Sequence, residues 1–385
     1  MLAKALAKAG NYNASHELWL TAAQFQNRAG NRDAATQCVV EAAEQLVSVA
    51  ERGEPGFFQA HWLDRAIHTL KKVKGTGTRR KELQTRLLQA QADIVDHVAL
   101  VEHRTDITDL VGAAREAVAG LPLIDALLAL AGLSSSPDPE ELRQEQRGLA
   151  RQFILSSLFA TVIHSHDGRK TATIPGIESS EEKGLRGRIV QSEEHRRRLI
   201  ATALEHARFE LTLDHSPNLP FLTQLAAVSP LVEPGHELTV AKGIANYLAG
   251  DHLTALHLLM PQLEAGLRYA LGVRGEDVVI IRPDGTQEMA KLGDLLGKLR
   301  PKLVKLLDER TVFEIENLFA RPEGPKLRPN VAHGLLPDHA LTSSESVYAC
   351  WFIYRLVLRA FIGRREKLAE HLKGLMEANP RLSPR

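Results

Sequence analysis

Arg328 and His333 set a permanently charged guanidinium close in sequence to an imidazole that titrates near about pH 6.5. That pairing suits phosphodiester chemistry. The imidazole can take the proton from a ribose 2′-hydroxyl, and the guanidinium can hold phosphate oxygens as charge develops. Such chemistry needs no metal and no cofactor. Spacing is the obstacle, because on an unbroken helix residues five apart differ by about 140° of rotation and about 7.5 Å of rise. Pro329 changes the expectation. Proline favours the first helical position and pushes the residue before it out of the helical region. Arg328 is therefore expected on an entering loop, free to fold back. His333 should end a short helix over 329–333, with Gly334 as its left-handed stop. Lys326 supplies a further cation and Asn330 an amide on the same segment.

The elements that must position these residues read as helix after helix. Ala14 to Arg28 repeats apolar residues at helical spacing, and Asp33 opens another run through Val49. The turn Ala9-Gly10-Asn11 recurs as Ala29-Gly30-Asn31 and again as Ala249-Gly250-Asp251. In each, Gly suits the left-handed C′ position and Asn or Asp starts the next helix. The first two copies lie 20 residues apart, which indicates helical hairpins without a named solenoid repeat. Further helices are expected over 59–73, 79–101, 106–119, 123–132, 139–165 and 189–210. Loops are expected at 166–187, 214–220 and 229–235. A new unit begins at 237, where a helix breaks at Gly250 and resumes to Leu271. Val278 to Ile281, a Pro-Asp-Gly turn and a return strand predict a short β-hairpin. Helices over 291–299, 301–319 and 343–362 complete the chain. The expectation is an all-α protein: a helical-hairpin, repeat-like array over 1–236, then a helical bundle with one β-hairpin over 237–385.

Composition narrows the classes. The 385 residues carry 48 Lys and Arg against 47 Asp and Glu, so no global field points to nucleic acid or membrane. The balance is uneven, with 21 basic against 17 acidic residues over 238–385 and an acidic excess before it. Cys38 and Cys350 exclude a disulfide scaffold and a Cys-rich metal module, and fit a reducing compartment. The most apolar stretch, 347–362, is short and contains Arg355 and Arg359, so no membrane span is expected. Lys4 and Lys8 precede the first acid, Glu17, but with no apolar core segment the N-terminus reads as a helix and not as an address. A cytoplasmic location is the default.

Other constellations read as structural. His164-Ser165-His166-Asp167 lacks a further ligand cluster and reads as a helix end. The basic run 71–81 reads as a solvated turn without the Gly-Lys-Ser/Thr ending of a phosphate loop. Glu193-Glu-His-Arg-Arg-Arg198 mixes charge signs and reads as an exposed helical face. Trp19, Trp62, Trp351 and both cysteines read as core.

Arg, four residues, then His resembles the signature of the HEPN superfamily of α-helical bundles, many of them metal-independent endoribonucleases. The longer form Arg-Asn-x-x-x-His-Gly resembles one poorly characterised domain of that superfamily. The likeness extends to Pro261, Glu264 and Arg268, which match a Pro-x-x-Glu-x-x-x-Arg helix entry, and to Leu292 to Leu296, which match a Leu-Gly-Asp-Leu-Leu run after a hairpin. It covers about 238–363. The resemblance implies a homodimer through the C-terminal bundle with two Arg/His pairs facing one groove. One position departs, because Pro329 stands where Asn is usual and Asn330 follows one place later.

Together these readings predict an endoribonuclease acting by 2′-hydroxyl attack, with His333 as base and later acid, Arg328 on phosphate and Asn330 assisting. The superfamily adds an expectation of toxin or antiphage work. Glu264 and Arg268 form an i,i+4 pair that lines the same groove or is simply an ion pair. Arg355, Arg359 and Lys326 are candidate RNA contacts, and the N-terminal array is expected to recognise a protein partner. The alternative is a catalytically inactive RNA- or protein-binding scaffold, as Pro329 permits, or a pure helical adaptor.

Overall fold

The structure is a computed structural model that describes residues 1–71, 73–97, 104–153, 157–165, 167–177 and 180–378. Its contacts divide the chain into two compact units, Met1–His103 with Val162–Ala172, and Arg104–Thr161 with Thr173–Arg385. The expected boundary at 236/237 thus falls inside the second unit.

In the first unit, α1 (Leu2–Lys8), α2 (Tyr12–Arg28), α3 (Arg32–Ala50), α4 (Phe57–Leu70) and α5 (Gly77–His97) pack each against the next. The turns work as their residues dictate. Gly10 and Gly30 have φ of 80° and 82°. Each closes a double cap in which the residue after it donates back to a carbonyl five residues earlier, Asn11 to Leu6 and Asn31 to Gln26. Small residues let the helices approach closely. Ala42, Ala43, Ala50 and Ala66 are fully buried beside Leu46, Leu63 and Leu70.

A second two-stranded hairpin was not expected. Residues 139–165 do not form one helix: α8 (Pro139–Gln152) stops, and β1 (Thr161–His164) pairs with β2 (Lys170–Ile174). Thr161, Val162 and Ile163 are β-branched, which favours strand over helix. The presumed loop over 166–187 also holds the start of a long helix.

The second unit begins with α6 (Thr108–Glu116), α7 (Leu123–Gly132) and α8. It continues with α9 (Glu181–Asp214), α10 (Leu219–Ala227), α11 (Glu237–Ala249), α12 (His252–Gly272) and the hairpin β3 (Val279–Ile281) with β4 (Gln287–Met289). The hairpin is antiparallel, with Ile280 opposite Glu288. Then follow α13 (Leu292–Leu296), α14 (Arg300–Leu307), α15 (Glu309–Ile315), a π-turn at Glu316–Ala320, α16 (Leu327–Ala332), α17 (Asp338–Leu341), α18 (Ser344–Leu358) and α19 (Arg365–Ala378). The expected helix over 301–319 is split at Asp308, whose φ is 108° and whose side chain caps the next helix through Thr311 N.

Helix α18 is the axis of this unit, packing on α7, α9, α11 and α12. From Val347 to Tyr354 it is apolar on every side, and such a segment has to be surrounded. Val347 to Tyr354 are all buried, Trp351 and Tyr354 completely. Their polar ends are satisfied by α7, with Trp351 Nε1 donating to Leu130 O and Tyr354 OH to Leu127 O, at 2.8 and 2.7 Å. Both cysteines are buried. Trp19 and Trp62 are only half-buried, so Trp351 alone is the fully enclosed anchor expected of all three. Among the described residues no helix is long and apolar enough to cross a membrane.

Candidate functional site

The Arg328/His333 segment is α16, one and a half turns packed on α12 and the π-turn. Arg328 is not on an entering loop. The helix starts at Leu327, one residue before it, and Pro329 occupies the third helical position, where its missing N–H costs nothing. The irregular backbone lies upstream of Pro329, at the N-cap Lys326, which takes a left-handed conformation at φ 53°. That geometry costs a non-glycine residue about 1 kcal/mol. It is held because Asn330 donates twice across it, from its N–H to Lys326 O and from Nδ2 to Pro325 O. The C-terminal end is as expected. His333 is the C-cap, Gly334 is left-handed at φ 62°, and Leu335 N–H returns to Asn330 O.

Because α16 is continuous, its residues follow helical geometry. Leu327 and Val331 are buried and define the inward direction. Arg328 sits about 80° to one side of it, and His333 about 140° away toward solvent. The two are therefore on different faces of one helix.

Glu264 explains where Arg328 points. Its carboxylate, 8% exposed, accepts from Arg268 Nη1 at 2.8 Å and from Arg328 Nε at 2.9 Å. Arg268 Nη1 also donates to Ala290 O at the end of β4, at 3.1 Å. The hairpin and α12 thus build a clamp for α16. Arg328 is gripped through Nε alone, and its two terminal amino groups have no partner among the described residues. The His333 imidazole is exposed and likewise has none. Nor has the ammonium of Lys326, the N-cap of the helix.

Arg355 and Arg359 have other duties. Arg355 Nη1 donates to Ala131 O and Ser134 O and closes the end of α7. Arg359 donates to Leu307 O, Thr311 Oγ1 and Asp308 Oδ2, bracing the break between α14 and α15. Burial lowers the Arg355 pKa.

The run 193–198 is solvated only in part, His195 and Arg198 being exposed. Glu193, Arg197 and Glu314 are almost completely buried, where α9, α15 and α18 meet. Arg196 donates to Glu193 at 2.6 Å and to Glu314 at 3.3 Å, and Arg197 to Glu314 at 3.3 Å. Burial raises the Glu193 pKa, with Arg196 opposing it, and burial with the Glu314 charge raises that of the Tyr348 phenol. The signal in the sequence is periodicity: Ile189, Glu193, Arg197, Ala201 and Leu204 share the buried stripe of α9. A cleft of about 400 Å³ on α8, α9 and α15 is lined by Arg143, Arg147, Arg186 and Arg321. Each of these pairs with a carboxylate, Glu316 being shared by Arg321 and Arg300.

In the 164–167 run, Ser165 Oγ and Arg169 both donate to Asp167 and shape the β1–β2 turn. His166, like Lys72 of the basic run, lies outside the described residues. Among the described residues, no three His, Cys, Asp or Glu side chains gather as metal ligands do.

No protein-family model, no curated protein and no solved structure matches this chain.

Proposed function

We propose that the chain binds RNA at α16 and cleaves it by 2′-hydroxyl attack, at a site shared between two copies. What supports the reading is the state of Arg328: a guanidinium oriented through Nε by a buried carboxylate, with both terminal amino groups unoccupied. An anchored fork of this kind receives phosphate oxygens with little ordering cost. In the reaction His333 removes the 2′-hydroxyl proton, and the 2′-oxygen attacks phosphorus. The P–O5′ bond breaks, a 2′,3′-cyclic phosphate forms, and the imidazolium returns a proton to the 5′-oxygen. Arg328 holds the non-bridging oxygens as they gain charge.

The angle between the two residues on α16 supports a site shared with a second copy. Within one chain Glu264 keeps the guanidinium on the α12 side, while the imidazole faces solvent. A twofold axis beside α16 would bring Arg328 of one copy to His333 of the other. The test is complementation in EDTA with total RNA. His333→Ala and Arg328→Ala should each be inactive alone, and mixing them should restore cleavage, since a mixed dimer regains one intact site. No cleavage by the wild type, or equal cleavage by His333→Ala, overturns the proposal.

A second reading, RNA binding without turnover, is favoured by Asn330. Its amide is engaged by Pro325 O and does not replace the polar side chain missing at Pro329. It predicts salt-sensitive RNA binding that Arg328→Ala weakens, with intact RNA throughout.

A further inference from the structure

The outward face of α4 has a composition that a solvated helix does not need. Its inward face, with Ala60, Leu63, Ala66 and Leu70, is buried in the first unit. The opposite face carries Phe57, Phe58, His61 and Arg65, with Trp62 at its edge, partly buried against the same core. Phe57 is 50% exposed and Phe58 45% exposed, in a chain that is only 5% aromatic. The rings form a connected array. Phe58 lies 6.1 Å from Trp62, and His61 meets Trp62 edge-on at 5.1 Å. Phe57 meets His164 of β1 edge-on at 5.3 Å. Arg65 stacks over the Trp62 ring with Cζ 5.0 Å from its centroid.

Two glycines show that this array is built. A side chain at Gly53 would sit 1.9 Å from the Phe58 ring, so only glycine admits that ring position. A side chain at Gly168 would sit 1.9 Å from Gln91 O. The β1–β2 turn therefore lies directly on the α5 backbone, which sets His164 and Lys170 beside α4.

Cations border the rings. Among the described residues Arg65 has no carboxylate partner, and Lys71 and Lys74, just beyond the C-terminal end of α4, are exposed and unpaired. Asp64 is the acid on this face, and Lys170 neutralises it at 3.2 Å. The two imidazoles register the local field. The His61 pKa is lowered by burial, then by Arg65 and Lys170, and that of His164 by burial, then by Lys170.

We infer that the α4 face with the β1–β2 hairpin beside it is a stacking platform for the bases of single-stranded RNA. Exposed rings with an arginine in the stack and lysines at one end are what sequence-tolerant single-strand binding uses, bases on the rings and phosphates on the cations. A partner protein would instead want a continuous apolar patch depleted of charge at its centre. For its ligand class this inference rests on the RNA reading of α16, but its residues are separate from that site.

The experiment uses the full chain in a His333→Ala background, with fluorescent oligoadenylate as probe and its duplex with oligouridylate as control. Single strand should bind more tightly than duplex, whose bases are hidden. Phe57→Leu, which keeps apolar bulk at an exposed position, and Arg65→Gln should each weaken single-strand binding at least about fivefold, the lower end for losing one stacked base. Unchanged affinity in both variants overturns the platform, and a loss confined to Arg328→Ala would leave the α16 reading standing alone. Equal binding of duplex and single strand also overturns it, as does an absence of binding. So does self-association that Phe57→Leu abolishes while RNA affinity stays the same. If Phe57→Leu weakens binding and the unmutated chain cuts no RNA, the platform stands and the cleavage reading falls.

Discussion

Replacing Glu264 by Gln tests whether one buried carboxylate organises the α16 site. Gln has nearly the same shape, so packing on α12 is retained and only the charge and one acceptor are lost. The carboxylate accepts two charge-assisted bonds, at 2.8 and 2.9 Å. Gln offers one oxygen, and its amide then faces the other guanidinium donor to donor. A bond of this kind contributes about 1.5–3 kcal/mol net when buried. Here the loss is reduced, because the Arg328 and Arg268 side chains are 33% and 19% exposed and water replaces part of what is removed. We expect a destabilisation of about 2 kcal/mol, and about 4 kcal/mol for Glu264→Ala, which removes both bonds and leaves a void. Urea unfolding of the second unit, followed by hydrogen exchange in α12, measures it. A double-mutant cycle with Arg328→Ala should give a coupling of about 1 kcal/mol. Glu264→Gln should also weaken RNA binding as Arg328 loses its orientation. A stability change under about 0.5 kcal/mol, or zero coupling, would refute the clamp.

Other predictions concern what the remaining charged residues do. Arg355→Met should cost about 2 kcal/mol by uncapping α7 at Ala131 O and Ser134 O, with RNA affinity unchanged, as read by urea midpoint and anisotropy. Arg197→Ala should cost about 3–5 kcal/mol, because it opens a cavity and removes one of the cations on buried Glu314. Arg197→Met, which fills the space while Arg196 still serves Glu314, should cost clearly less. Both are read by calorimetric midpoint. The first unit should lose stability as pH falls. His61 and His164 have lowered folded pKa values, so just below about pH 6.5 the unfolded chain binds more protons than the folded one. Their stabilisation is present above that pH and is lost as pH drops through the folded values. Hydrogen exchange in α4 should show this slope, and the double variant His61→Gln with His164→Gln should flatten it.

Local rules carried much of the architecture. The left-handed stops at Gly10, Gly30, Gly250 and Gly334 follow from a glycine before a helix-starting residue or after a short helix, and all four have positive φ. The β3–β4 hairpin and the buried cysteines were legible for the same reason, since a turn signal and apolar periodicity act over a few residues. The β1–β2 hairpin was not, because a four-residue strand beside a helical pattern leaves little periodicity to read.

What the sequence by itself determined is where helices start and stop, and that Arg328 and His333 share one short segment ended by Gly334. The direction of the Arg328 side chain was decided by tertiary structure. Glu264, 64 residues before Arg328, captures its guanidinium, and no local spacing encodes that meeting. The same holds for Arg355 and for Arg359 just past the end of α18, whose spacing of four reads as that of any polar stripe, yet whose partners are helix ends brought to them by packing. Glu193 and Arg197 make the point in reverse: charge alone implied solvent, and burial was settled by three helices closing over them. Hydrogen bonds and ion pairs across long sequence separations depend on which surfaces meet, and that is fixed only when the core has formed.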